Sequence, residues 1–226
     1  MYSLLTNVKI SVTEKIYVKD PESSDLGKRI IQESILLIHD IGFEAFTFKK
    51  LGSKIGSNES SVYRYFENKH KLLLYLSSWY WAWIEYQIVL ETHSIQDNKE
   101  KLIKAIEVLC RTIEEDSNFS HINEVVLNAI IINENSKSFL TKAVDAQNKE
   151  GYFNIYKRVV NRLKDIIVEN APIYKYPASL ASTIIEGSLH QHYLKDHFWS
   201  ITDCKENVSP ASFFKNLTLN VLNLHE

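Results

Sequence analysis

The stretch that decides the fold is residues 47–76, TFKKLGSKIGSNESSVYRYFENKHKLLLYL. Its pattern predicts two short helices joined by a tight turn, with a third helix beginning directly afterwards. Thr47 precedes apolar residues at helical spacing, so we expect its hydroxyl to cap the first helix. Gly56 can adopt a left-handed conformation and end that helix, and Ser57 or Asn58 can cap the next one. The second helix carries short polar and aromatic side chains, which is typical of a helix that enters the major groove of DNA.

The preceding helix extends the pattern. Residues 25–41 place one stripe of mostly apolar side chains at helical spacing, and Gly42 and Phe43 follow directly. Together with the matching positions of the motif, this stretch of about 50 residues resembles the DNA-binding domain of the TetR family of bacterial transcriptional regulators. The positions that carry the resemblance are Thr47, Leu51, Gly52, Gly56, Ser57, Asn58, Val62, Tyr63, Tyr65, Phe66, Asn68, Lys69 and Leu72.

The resemblance implies an all-α protein with an N-terminal three-helix helix-turn-helix domain and a larger helical ligand-binding and dimerisation domain. We assign residues 1–24 to an N-terminal extension, 25–71 to the DNA-binding domain and 72–226 to the second domain. The family also implies a homodimer, paired through its last two long helices, that represses transcription from a palindromic operator. A small-molecule effector would release the DNA, and no cofactor is expected.

The resemblance further implies which residues contact DNA. Tyr63 and Lys69 are expected to anchor phosphates, with Lys49 assisting from the first helix of the motif. The residues expected to contact or frame bases occupy the first turns of the recognition helix. The full predicted set is Lys49, Ser57, Asn58, Glu59, Ser60, Ser61, Tyr63, Arg64, Tyr65 and Lys69.

Three positions depart from the family pattern. Ser57 stands where the family prefers Val, Gly52 stands where it prefers Ala, and Glu59 places a carboxylate on the recognition helix. A carboxylate there can accept a hydrogen bond from cytosine N4, or it can pair with a nearby lysine and stay outside the groove. The sequence leaves both alternatives for Glu59 open.

Composition is typical of a folded helical protein. Hydrophobic residues make up 45% of the 226 residues, and six Gly and four Pro are few. The net charge of −2 divides into +2 for residues 1–75, with 11 Lys and Arg against 9 Asp and Glu, and −4 for the remainder, with 15 against 19. Affinity for DNA must therefore come from a local cluster. Its members are Lys49, Lys50, Lys54, Arg64 and Lys69.

The N-terminal extension alternates apolar and polar residues at Val8, Ile10 and Val12, which predicts a short strand or an extended arm. Its lysines are diluted by carboxylates, so we favour packing or a loose tail over a DNA contact. Cys110 and Cys204 have no CxxC spacing and are expected to be free thiols. No apolar run reaches membrane-spanning length and no leader pattern is visible, so we expect a cytoplasmic protein.

Beyond the motif, apolar spacing predicts helices at about 69–91, 99–116, 120–134, 137–170, 177–197 and 210–224. Trp79, Trp81 and Trp83 cannot share one helical face, although core filling is the default for each of them. Helix phase suggests six residues that could line an effector cavity: Trp83, Tyr86, His121, Tyr152, Tyr156 and His190.

The histidines of the C-terminal half raise the alternative of an enzyme. His190, His192 and His197 lie close in sequence to Glu186 and Asp196, but a di-metal bundle needs two Glu-x-x-His pairs on facing helices. Only Glu67 and His70 have that spacing, and they lie inside the DNA-binding motif. No nucleophile with an adjacent base is evident, so we expect neither catalysis nor a metal site.

The leading prediction is a dimeric, ligand-responsive transcriptional regulator. The alternative is a helical dimeric interaction protein that keeps the same fold but binds DNA weakly or not at all. The small net charge and Glu59 are the features that favour this alternative.

Overall fold

The computed structural model describes residues 10–114, 121–205 and 207–224, and every regular element in these ranges is a helix. The predicted all-α fold is confirmed. None of these helices is both long and apolar enough to cross a bilayer. The helices are α1 Asp25–Ala45, α2 Phe48–Lys54, α3 Glu59–Tyr63, α4 Lys69–Thr92, α5 Asn98–Cys110, α6 Glu124–Phe139, α7 Val144–Lys149, α8 Asn154–Asn170, α9 Pro177–His197 and α10 Pro210–Val221. Short 3-10 turns occupy Glu14–Ile16, Pro21–Ser23 and Trp199–Ile201.

The chain forms two compact units, and the division falls inside α4. The first unit combines residues 1–82 with 113–154, and the second combines 83–112 with 155–226. The helix-turn-helix motif therefore lies in the same unit as α6 and α7, which the sequence assigned to the second domain. The predicted domain ranges describe function rather than packing, and they remain predictions.

The described part of the N-terminal extension packs within the first unit. Of the alternating stretch, residues 10–12 are described and form no strand, and two 3-10 turns follow before residue 24. Asp20 accepts a hydrogen bond from the Glu22 amide and caps the second turn, which curls the chain instead of extending it. Ile16 is buried, and the Val18 amide donates to the Tyr65 carbonyl at 2.8 Å. Val8 lies outside the described residues.

The central part of α4 is buried around its whole circumference. Every residue from Leu72 to Trp81 is buried, as is Trp83. A helix that is apolar on all sides belongs inside a protein rather than on its surface. Trp79, Trp81 and Trp83 are therefore all core residues, with Trp79 and Trp81 in the first unit and Trp83 in the second.

The predicted single helix at 137–170 is wrong. The chain has a helix end at Phe139, the short α7, and a separate α8 from Asn154. Gly151 adopts a φ of +86°, a left-handed conformation that favours glycine and ends the preceding turn. Asn135, which lies in the gap between the predicted helices 120–134 and 137–170, is instead buried inside α6.

Candidate nucleic-acid interface

The helix-turn-helix motif is built by local capping, as the sequence predicts. Thr47 accepts a hydrogen bond from the Lys50 amide and caps α2. The helix ends in a Schellman arrangement, with Gly56 at a φ of +66°. The Ser57 amide donates to the Gly52 carbonyl at 2.8 Å, and the Gly56 amide donates to the Ser53 carbonyl at 3.3 Å.

The second helix of the motif lies close to the first. Asn58 caps α3, because its Oδ1 accepts the Ser61 amide at 3.0 Å. A Cβ atom on Gly52 would lie 2.9 Å from both the carbonyl carbon of Asn58 and the nitrogen of Glu59. The departure from the family's alanine at this position therefore has a packing reason, since only glycine fits this approach.

The predicted base-contacting residues fall into two groups. Ser57 donates to the Ser61 hydroxyl at 2.9 Å, and that hydroxyl donates to Asn58 at 3.1 Å, so these three side chains stabilise the turn. Glu59 and Ser60 are exposed in the first turn of α3. The second group consists of residues whose side chains are exposed to solvent, and we call it the recognition face. Its members are Lys49, Glu59, Ser60, Tyr63 and Arg64.

Tyr63 is held by stacking although it is exposed. Half of its surface is accessible, and its ring packs edge-on against Phe48 at a centroid distance of 4.9 Å. An aromatic contact of this kind holds the ring in place while half of the side chain stays accessible. The geometry suits the predicted phosphate contact.

Lys69 does not have the surroundings of a phosphate anchor. Its ammonium donates to the carbonyl oxygens of Phe43 and Glu44 at 3.0 Å each and to that of Phe46 at 3.4 Å. It also lies 4.8 Å from the centroid of the Phe43 ring. An ammonium has three protons, and three carbonyls accept them here. We therefore correct the prediction: Lys69 ties the end of α1 to the start of α4.

Tyr65 is a second correction. Its side chain is 3% exposed, and its hydroxyl lies 2.8 Å from that of Ser24, the residue that caps α1. A buried phenol of this kind cannot reach DNA. The sequence alone places Tyr65 on the recognition segment but does not show that α3 ends at Tyr63.

The predicted basic cluster is also divided. Lys50 donates to the Ala45 carbonyl at 2.8 Å, and Lys54 lies 3.7 Å from carboxylate oxygens of both Glu33 and Asp40. Within the described residues, the side chains of Lys49 and Arg64 form no hydrogen bond or ion pair. These two exposed cations are therefore available for phosphate or base contacts.

Glu59 is the first residue of α3, where a negative charge is favoured by the helix dipole. No lysine among the described residues lies within 4 Å of its carboxylate. The alternative in which Glu59 pairs with a neighbouring lysine thus finds no support. Its orientation toward a base stays a prediction.

The six predicted ligand residues lie in different units. His121 and Tyr152 belong to the first unit, where His121 lies 2.9 Å from Glu22 and Tyr152 accepts from the Lys71 ammonium. The other four belong to the second unit: Trp83, Tyr86, Tyr156 and His190. Tyr156 donates to Glu186 at 2.5 Å, whereas His190 is exposed.

A cleft of about 380 Å³ in the second unit is lined by residues that the sequence did not suggest. Arg158 and Arg162 both donate to Glu85, at 2.8 and 3.1 Å. Burial alone would raise the pKa of Glu85, but the hydrogen bonds and charges of the two arginines together lower it below its ordinary value. Two arginines four residues apart on one helix face were the available sequence signal.

His192 is partly buried and the two cysteines are buried. His192 Nε2 lies 2.9 Å from the Cys110 carbonyl, and burial lowers the pKa of this imidazole. Cys110 and Cys204 are both buried free thiols, and burial raises the pKa of the Cys110 thiol to about 12. Throughout residues 10–114, 121–205 and 207–224, no three His, Cys, Asp or Glu side chains are grouped to hold a metal ion.

Comparison with known families decides the relationship. A sequence model of the bacterial regulatory proteins of the tetR family matches residues 30–76, the segment that contains the motif just described. Residues 30–76 therefore form a helix-turn-helix domain of the TetR type. No curated protein matches the chain.

Solved structures share the TetR fold at low identity. AibR in complex with isovaleryl coenzyme A and operator DNA has a TM-score of 0.57 at 15% identity, over 86% of this chain and 98% of that one. The fatty acid degradation regulator FadR from Bacillus halodurans has a TM-score of 0.58 at 16% identity, over 86% and 93%. The superantigen PfiT has a TM-score of 0.60 at 15% identity, over 92% and 100%. These similarities establish the fold of this chain.

Proposed function

We propose that the protein is a dimeric transcriptional repressor that binds a palindromic operator and releases it when a small molecule binds. The observation that carries this proposal is the recognition face. It projects Lys49, Tyr63 and Arg64 outward from a motif whose caps and turn are fully hydrogen-bonded. The solved complex of AibR with operator DNA shows that a protein of this fold can bind DNA, which supports the proposal.

Direct DNA selection tests this function. The purified protein is incubated with random double-stranded DNA, bound sequences are enriched, and the affinity for the resulting site is compared with that for a scrambled duplex. We expect an inverted repeat whose half-sites are about one helical turn, 34–36 Å, or a near multiple apart. Equal affinity for selected and scrambled duplexes would contradict the proposal.

Glu59 offers a sharper test of the recognition face. If its carboxylate accepts from cytosine, Glu59→Gln should cost about 1–3 kcal/mol at one base pair only. If the carboxylate only repels phosphate, the same change should raise affinity at every site. No change in either quantity would mean that Glu59 does not face DNA.

We place the dimer interface on α9 and α10. Support comes from exposed apolar side chains on α10, since Phe213 and Val221 are 42% and 38% accessible. Phe213→Glu should shift the protein toward monomer in sedimentation at micromolar concentration. Val168→Glu, at an equally exposed position on α8, is the matched control. Equal dimerisation of both variants would exclude this interface.

The effector is proposed to be a small organic molecule that binds the second unit. AibR was solved with isovaleryl coenzyme A, which makes acyl thioesters the first compounds to test. An effector must bind the DNA-incompetent state roughly 5- to 150-fold better to shift DNA affinity by about 1–3 kcal/mol, and DNA must weaken its binding equally. Titration with and without operator measures this, and equal affinities would exclude the compound.

A second candidate is an interaction protein of the same fold, cytosolic and without catalytic activity. PfiT favours it, because a superantigen shares this fold over 92% of the chain. The two functions separate in the DNA selection above. Enrichment of a specific site supports the repressor, whereas a folded dimer that enriches no site supports the interaction protein.

A further inference from the structure

The corner that leads into the helix-turn-helix motif, residues 42–46, has an unusual backbone. Gly42 interrupts α1 with φ of 74° and ψ of 157°. The Phe46 amide donates back to the Gly42 carbonyl at 3.2 Å, and Thr47 then caps α2. The direction in which the chain enters α2 and α3 therefore depends on how this corner is held.

Helix α6 holds the corner from a distance of 91 residues in sequence. The Phe43 amide donates to Glu134 Oε1 at 3.2 Å. Glu134 Oε2 pairs with Lys137 at 2.7 Å, and Lys137 in turn lies 3.1 Å from Glu44. Only 12% of the Glu134 side chain is exposed, so its bond to Phe43 is shielded from water.

The contacts of α6 and α4 are complementary at this corner. Glu134 accepts the proton of a backbone amide, whereas Lys69 of α4 donates to three backbone carbonyls. In the same unit, Tyr80 of α4 donates to Asn128 of α6 at 2.8 Å. The corner, α4 and α6 thus form one hydrogen-bonded frame behind the motif.

The Lys137–Glu44 pair is less important than the Glu134 contact. Glu44 is 78% exposed, and ion pairs in contact with water contribute little. A shielded carboxylate bonded to a backbone amide is stronger and directional. Any displacement of α6 relative to α4 is therefore transmitted to the corner mainly through Glu134.

We propose that Glu134 is a positioning residue for DNA binding, through which α6 sets the orientation of the recognition face. This inference rests on the proposed DNA-binding function. Helix α6 would then act on the motif directly through the hydrogen bond between Glu134 and the Phe43 amide, in addition to the contact through α4.

The test compares Glu134→Ala with Glu134→Gln, which retains an oxygen acceptor for Phe43. Affinities for the selected operator and for a scrambled duplex are measured together with thermal stability and amide exchange at Phe43. We expect Glu134→Ala to lose roughly 2- to 30-fold in operator affinity with little change on the scrambled duplex, and to exchange the Phe43 amide faster. Glu134→Gln should recover most of the operator affinity.

Lys137→Met is the matched control, because it removes the ion pairs and leaves the Phe43 bond. It should behave like the wild type. If Glu134→Ala does not fold, Glu134→Asp serves in its place, since the shorter side chain draws the oxygen away from Phe43 and keeps the charge. A folded Ala or Asp variant with unchanged preference for operator over scrambled DNA overturns the inference, whereas a wild-type protein that prefers no operator overturns the proposed function itself.

Discussion

The corner and the recognition face use the same kinds of side chain in opposite ways. The corner consists of residues 42–46. There, the side chains of Lys69 and Glu134 form hydrogen bonds with backbone atoms of α1. On the recognition face, Lys49 and Arg64 are exposed, and within the described residues their side chains have no bonded partner. The difference shows that a lysine within a DNA-binding motif is available to DNA only where the fold has not already used its protons.

The largest effect is expected from Lys69→Met. Removal of an ammonium that serves three carbonyls should lower the free energy of unfolding by about 1.5–3 kcal/mol, because hydrogen bonds to charged groups are worth that much and the carbonyls lose their donor. Urea denaturation monitored by circular dichroism measures it. Lys49→Met, on the recognition face, is the matched control and should stay within about 0.5 kcal/mol of the wild type. If Lys69→Met has the same urea midpoint of unfolding as the wild type but loses DNA binding, Lys69 is a phosphate anchor after all.

Gly52→Ala should destabilise the protein, although a change from glycine to alanine inside a helix usually stabilises it. Alanine normally stabilises a helix interior by about 0.5–1 kcal/mol relative to glycine. At Gly52 the new Cβ would lie 2.9 Å from backbone atoms of Asn58 and Glu59, so we expect a loss of about 1–3 kcal/mol from overpacking. Thermal unfolding measures it, with Ser53→Ala, at an exposed position of the same helix, as the control. A stabilised Gly52→Ala variant would show that α3 can move away from α2 without cost.

The recognition face is tested by salt dependence. Arg64→Ala and Lys49→Ala should each reduce the slope of log affinity against log salt by about one, since each removes one cation that displaces counterions. Fluorescence anisotropy with the selected operator at several salt concentrations measures this slope. Lys175→Ala, which removes an exposed lysine of the second unit, should leave it unchanged. An unchanged slope for both Lys49 and Arg64 would mean that the recognition face lies elsewhere.

The smallest effect concerns His70, which lies beside Lys69 in the frame. Burial lowers its pKa below the ordinary 6.5, while a hydrogen bond to Gln147 partly opposes the shift. Below pH 6.5 the unfolded chain binds this proton more readily than the folded protein, so stability is full above that pH and falls as pH drops through the folded pKa. His70→Asn should make this decline shallower in unfolding experiments between pH 7.5 and about 5. The control is His39→Asn, which removes an exposed histidine of α1. If stability declines equally with falling pH in the two variants, His70 is not the group responsible.

The corrections share a physical cause. Sequence spacing correctly predicted the cap at Thr47 and the left-handed Gly56, and it narrowed the next cap to Ser57 or Asn58, because each of these features depends on atoms within about four residues. It misassigned Lys69 and Tyr65, whose partners lie more than 20 residues away in sequence. Periodicity also merged α7 and α8 with the end of α6, because Gly151 was not recognised as a helix stop.

The sequence by itself determined that this is an all-helical chain with a TetR-type helix-turn-helix motif near residues 47–69, since capping, turn geometry and apolar spacing are local properties. The tertiary structure alone decided which cations remain free for DNA and that α6 belongs with the motif. Those outcomes depend on where Lys69 and Glu134 find backbone partners. A side chain's nearest acceptor in the fold cannot be derived from its spacing along a helix, because packing between distant segments decides which polar atoms compete for the same proton.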